Sequence, residues 1–148
     1  MSEPTEFSEA DFDQAVQLSA YALACARAGD WTTAGSTVKE IEERFHGPGI
    51  QVMLCGLADT LLIHHGGIPG PDAVVIPQFV DTDGDVTDTD HTPPEVRWAG
   101  RFIAAWGARD DDACEALVNS CTDERQWTYN VAALLDVVAT TLNMVGAP

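Results

Sequence analysis

Positive charge is scarce in this sequence. Its 148 residues include seven lysines and arginines against 24 aspartates and glutamates, which gives a net charge of −17. Residues 47–92 contain seven acids and not one base. Nucleic acids and anionic membranes bind proteins through basic surfaces, so this composition argues against both as partners. Such a charge is compatible with binding to a basic protein or to a cation, and with mimicry of a nucleic acid.

Catalytic and cofactor motifs are absent as well. The sequence contains no G-x-S-x-G, no P-loop and no dinucleotide-binding fingerprint, so neither an enzyme activity nor a cofactor is expected. Four cysteines are present, Cys25, Cys55, Cys114 and Cys121, and none forms a C-x-x-C pair. The first three have apolar or small neighbours, which indicates free thiols in a reducing compartment.

The sequence also lacks a signal-peptide pattern and a long apolar run. The first residues, MSEPTEFSEADFD, are acidic and contain no apolar stretch of the kind that a signal peptide needs. Asp59 and Asp136 interrupt the longest apolar-rich runs, so no transmembrane helix is expected. These features together predict a cytoplasmic protein.

The chain contains enough apolar residues to form a core, because 45% of its residues are hydrophobic. Apolar spacing predicts a mainly α fold, a compact bundle of about six helices in two three-helix halves. We expect a single domain over residues 1–148, with halves at 8–67 and 92–146 and a connector at 68–91. Sliding the chain on itself by 80 residues aligns Asp30 with Asp110 and Gly66 with Gly146, so an internal duplication is a hypothesis.

Capping residues locate the predicted helices. In the first half, Ser8 and Asp30 are good N-caps, and Gly47 is expected to end the second helix before a third begins at Pro48 or Gly49. The first helix is apolar or small nearly all round in its second half, which predicts burial on every side.

Helix starts in the second half follow the same logic. The sequence Thr92-Pro-Pro-Glu95 predicts a capping box that opens the fourth helix. The acids at Asp110 to Asp112 then cap the fifth helix, and a sixth ends at Gly146.

The connector holds the one predicted β-structure. Strand-forming residues precede Asp83-Gly84 and Val86-Thr87 follows it, which predicts a short β-hairpin. The acids from Asp81 to Asp90 also suggest a calcium loop, but glycine stands at its fourth position instead of its sixth, and Thr92 stands where the bidentate glutamate belongs. A hairpin with solvated acids is the prediction, and a looser calcium site is the alternative.

Histidines and lone acids are weaker candidates. His64 and His65 diverge by about 100° on a helix, so a zinc site would need one of them with His91 and an aspartate. Asp59 and Asp136 are single acids in apolar helices, where an unpaired buried carboxylate is unfavourable. We therefore expect each of them to be exposed, to pair with Arg97 or Arg101, or to line a ligand pocket.

The sequence therefore predicts a non-catalytic protein that acts through contact with another protein, and a homodimer is one form of that contact. Trp98, Arg101 and Phe102 share one helical face and are the candidate interface, with core packing as the alternative. Two other functions stay open. One is an acidic inhibitor that mimics nucleic acid on a basic protein, and the other is a helical small-molecule binder or enzyme with Asp59 or Asp136 in its pocket.

Overall fold

A computed structural model describes residues 6–64, 79–80, 86–87 and 92–146 of the chain. This part contains five α-helices: α1 (Glu9–Arg27), α2 (Trp31–His64), α3 (Pro94–Gly107), α4 (Asp111–Asn119) and α5 (Glu124–Met144). The mainly α prediction is therefore confirmed at the level of class. The chain divides into two compact units, Met1–Leu57 and Ala58–Pro148, called here unit 1 and unit 2. The prediction of a single domain over residues 1–148 stays a prediction.

The remainder of the fold prediction was wrong: among the described residues the helices number five instead of about six, and no β-hairpin forms an element of the fold. Between the halves, the four described residues form two short strands, β1 (Phe79–Val80) and β2 (Val86–Thr87), with Phe79 paired antiparallel to Thr87. So short a pair gains too little from cross-strand contacts to form a stable sheet. The predicted turn at Asp83-Gly84 and the acids of the suggested calcium loop lie outside the described residues.

The first half has two helices instead of three, because no loop separates the predicted second and third. Helical geometry is lost within α2 at His46, where φ is 54° and ψ is −144°. Pro48 follows two residues later, and a proline is tolerated in the first turn after such a break, where its missing N–H has no helical partner to lose. α2 therefore consists of two helical segments that meet at a kink, and the predicted boundary at Gly47 and Pro48 lies directly after the break.

Glycine is required on the inner side of this kink. A Cβ on Gly49 would collide with the Cβ of Phe45 and would lie 3.2 Å from Cγ2 of Ile41. Both neighbours are buried in the core of unit 1. The absence of a side chain at Gly49 therefore lets the two parts of α2 approach each other within that core.

Most predicted caps are confirmed. The Ser8 hydroxyl accepts from the backbone N–H of Asp11 at 3.1 Å, and the Asp11 carboxylate accepts from the N–H of Ser8. Asp30 and Asp110 accept from backbone N–H groups three residues ahead, also at 3.1 Å. The capping box at Thr92 is wrong: Pro93 is the N-cap of α3, and no side chain accepts a hydrogen bond there.

Each unit has buried apolar side chains, and α2 contributes to both units because it crosses the boundary between Leu57 and Ala58. In unit 1, the largest fully buried side chains are Ile41, Met53, Leu54 and Leu57. In unit 2, α3 packs against both α4 and α5. The largest fully buried side chains there are on α5, namely Leu134, Val138 and Leu142.

Candidate functional site

The predicted interface residues do not share a surface. Trp98 and Phe102 stack with their ring centroids 5.5 Å apart, and they are only 7% and 2% exposed. The Trp98 indole N–H donates to the carbonyl oxygen of Leu117 at 3.0 Å, and Trp127 packs edge-on against the same ring. Only Arg101 is exposed. Two of the three residues thus occupy the core of unit 2, because the helical face that carries them is the face that meets α4 and α5.

Arg101 instead lines an open groove on unit 2 with a volume of about 480 Å³. One wall is the first part of α3, and the other is the junction between α4 and α5. The lining residues are Pro94, Arg97, Trp98, Arg101, Leu117, Ser120, Cys121, Thr122, Asp123, Gln126 and Asn130. This volume falls within the range of small-molecule sites in proteins.

The buried end of the groove is a fixed polar network around Asn130, which is 2% exposed. Its amide nitrogen donates to the sulfur of Cys121 at 3.0 Å, and its oxygen accepts from Nε2 of Gln126 at 2.9 Å. The carbonyl oxygen of Leu117 accepts from the hydroxyl of Ser120 at 2.8 Å as well as from Trp98. These bonds fix the orientation of the side chains that meet at the groove.

The groove is cationic in a chain that is otherwise acidic. Arg97 and Arg101 are one helical turn apart, and neither forms an ion pair with another described residue. Like charges at this spacing repel each other. Asp123 is the one acid of the lining, and its Oδ1 accepts from the backbone N–H groups of Arg125 and Gln126 at 2.8 and 3.3 Å. Two guanidinium groups therefore face one carboxylate that is already committed to the start of α5.

The lone acids of the sequence lie elsewhere. Asp59 accepts from the Trp106 indole N–H at 2.6 Å and lies 4.0 Å from the guanidinium of Arg109, which also covers the Trp106 ring. Its partner is thus Arg109, neither Arg97 nor Arg101. Asp136 is exposed and accepts from the hydroxyl of Thr140 at 3.1 Å. Neither acid lines the groove, so the pocket role suggested for them gains no support.

An exposed apolar face on α1 was missed at the level of sequence. The described part of unit 1 exposes four large apolar side chains, and three of them are on this helix: Phe12, Val16 and Tyr21. Phe12 and Val16 begin a row at intervals of four residues that continues with Ala20 and Ala24, and all four are exposed. The opposite face of α1 is buried. The sequence pattern covers only the second half of the helix, where Ala20 and Ala24 lie, and it predicts burial on every side.

Metal and thiol chemistry have little support in the described part of the chain. No group of three or more potential metal ligands occurs among the described residues, while His65 and His91 of the suggested zinc site lie outside them. All four cysteines are free thiols. Burial raises the pKa of Cys114, and the charges of Asp111 and Asp110 raise it further. No described helix is long and apolar enough to span a membrane.

Comparisons with known proteins found no similarity. No protein-family model, no curated protein and no solved structure matches the chain.

Proposed function

We propose that this protein acts without catalysis, through protein–protein contact, and that its partner is a second copy of the same chain bound along α1. The observation that supports this proposal is the exposed row of Phe12, Val16, Ala20 and Ala24. A helix that buries one face in its own core and exposes apolar side chains on the other has an unpartnered surface.

The face is complementary to itself when two helices run antiparallel. Large side chains, Phe12 and Val16, occupy its N-terminal part, and the small Ala20 and Ala24 occupy its C-terminal part. A two-fold axis at Ala20 places Val16 of one copy opposite Ala24 of the other. Small residues at the centre allow the two backbones to approach closely, and a two-fold contact closes after two copies.

Charge supports the same arrangement. Asp13 and Arg27 lie seven residues before and after Ala20, which is about 10 Å along the helix in each direction. Seven residues are close to two full turns, so both lie on the same face as Ala20. The antiparallel pairing therefore places Asp13 of one copy beside Arg27 of the other, twice across the axis. A parallel pairing would place like charges together.

The contact is small, so we expect a weak and reversible dimer. A helix of 19 residues is about 28 Å long. The area between two such helices is near the lower limit for specific protein complexes, which begins at about 1,200 Å². The cytoplasm is the proposed compartment, on the support of four free thiols.

Sedimentation equilibrium of two matched variants tests the proposal. Ala20 and Ala132 are both exposed alanines within helices, Ala20 on the proposed contact face and Ala132 on α5. Ala20→Arg places two cations at the two-fold axis and should make the protein monomeric at concentrations where the wild type dimerises. Ala132→Arg adds the same charge and should leave the dimer intact.

Two outcomes would contradict the proposal. A wild type that stays monomeric at high protein concentration would remove the need for any self-contact. A dimer that survives Ala20→Arg and is lost in Ala132→Arg would move the contact to unit 2. Circular dichroism of both variants checks that each remains helical.

A further inference from the structure

The cationic groove of unit 2 is a second notable surface of this protein. Its positive charge is not explained by any contact among the described residues. Acids outnumber bases by 24 to seven in the sequence. The groove reverses that balance, with Arg97 and Arg101 against Asp123 alone. Two cations held one turn apart weaken a helix slightly unless an anion lies between them.

We propose that this groove binds a small organic anion, whose carboxylate or phosphate group lies between the guanidinium groups of Arg97 and Arg101. A guanidinium presents N–H donors in a planar fork that matches the oxygens of both anions. Thr122 lines the opposite wall, and its hydroxyl can donate a hydrogen bond.

The rest of the groove fits the body of such a ligand. Pro94, Trp98 and Leu117 contribute apolar surface beside the arginines. Because the indole N–H of Trp98 is bonded to Leu117, the ring is held in one orientation. The Asn130 network is likewise fixed before any ligand binds. A ligand therefore meets a largely preformed surface, which lowers the entropic cost of binding.

NMR titration of four ¹⁵N-labelled proteins tests the inference. They are the wild type, Arg97→Gln/Arg101→Gln, Arg125→Gln and Ala20→Arg. The probes are benzoate, phenyl phosphate and, as the uncharged counterpart of benzoate, benzamide. Saturable shifts of the Trp98 indole N–H and of the Gln126 and Asn130 side-chain amides are expected with at least one anion and not with benzamide. Comparison of the two anions shows whether the carboxylate or the phosphate is preferred.

The variants separate a specific site from general attraction to positive charge. Arg97→Gln/Arg101→Gln should weaken anion binding by about tenfold or more, since each charge-assisted hydrogen bond contributes strongly to affinity. Arg125→Gln removes an exposed arginine of the same unit that does not line the groove, and it should bind as the wild type does. Both arginines of the double variant lack ion-pair partners among the described residues, so its fold should be unchanged.

The inference is independent of the proposed dimer, because the groove belongs to unit 2 and α1 to unit 1. The monomeric Ala20→Arg protein should therefore bind the anion with the wild-type affinity. Equal shifts with benzamide and benzoate, an affinity unchanged by Arg97→Gln/Arg101→Gln, or no saturable shift at about 10 mM anion would overturn it.

Discussion

At the scale of single residues, the role of a side chain depends on its surroundings in the fold as well as on its residue type. Trp98 and Phe102 are of residue types that are common in protein interfaces, yet they stack in the core of unit 2. Asp59 and Asp136 have similar apolar sequence neighbours, yet one is held by Trp106 and the other is exposed. Sequence spacing predicted which residues share a helical face. It could not predict which face is covered, because that depends on helices distant in sequence.

Gly49 provides a test of the kink in α2. Gly49→Ala should destabilise the protein by several kcal/mol, about 2–4, because its Cβ would overlap Phe45 in a packed core. Gly35 is in the same helix with open space around it, so Gly35→Ala should stabilise the protein by about 0.5–1 kcal/mol. Urea unfolding measures both, and equal effects of the two substitutions would refute the close approach at Gly49.

The cysteines should differ in reactivity. Cys114 is buried and its pKa is raised, while Cys25, Cys55 and Cys121 are half-buried. Because the thiolate is the reactive form, iodoacetamide at pH 8 should modify Cys114 last. Peptide mapping by mass spectrometry follows each site, and the rates should converge in urea. Modification of Cys114 ahead of the other three in the folded protein would show that the α4 packing is loose.

At the scale of elements, local signals predicted most helix boundaries, and the exceptions are the start of α3 and the break within α2. Ser8, Asp30 and Asp110 cap helices as predicted, since capping depends on a few adjacent residues. Gly47 and Pro48 suggested a stop, yet only His46 leaves the helical region and the chain continues as helix. Whether such a pair ends a helix or bends it depends on core packing around Gly49, which local sequence does not encode.

The cap at Asp30 should make stability depend on pH. Hydrogen bonds from the side chain and the backbone N–H of Thr33 lower the pKa of Asp30. A folded-state pKa below the unfolded value near 4 means that the cap contributes stability above that pH and loses it as the pH falls through the folded-state pKa. Asp30→Ala should therefore lower the Tm at pH 7, and its deficit should shrink toward pH 3.

Asp30→Asn is the matched control for this prediction, because asparagine also caps helices but carries no charge. At pH 7, the Tm of this variant should be close to that of the wild type. The variant should lack the part of the pH dependence of Tm that arises from ionisation at position 30. If the Asp30→Ala deficit were the same at pH 3 and pH 7, the carboxylate would not be the source of the capping energy.

At the scale of the whole molecule, the net charge of −17 opposes self-association. Two such copies repel each other over long distances, and this repulsion is screened by salt. The proposed Asp13–Arg27 pairs lie at the protein surface, with Asp13 exposed and Arg27 half-buried, and contribute only about 0.2–1 kcal/mol each. Raising sodium chloride from about 20 mM to about 300 mM should therefore strengthen the dimer, as measured by sedimentation equilibrium. A dimer weakened by salt would indicate a contact dominated by opposite charges.

The most direct measurement of the central claim is the position of the dimer contact. An Ala20→Cys protein should form, on mild oxidation, a disulfide-linked dimer, and peptide mapping should identify the link between position 20 of both copies. The antiparallel contact brings these two Cα atoms near the two-fold axis, within the 4.4–6.8 Å or so that a disulfide spans. Ala132→Cys, with the same exposed cysteine on α5, should not cross-link at its position. Absence of the link at position 20, or equal cross-linking at position 132, would contradict the account.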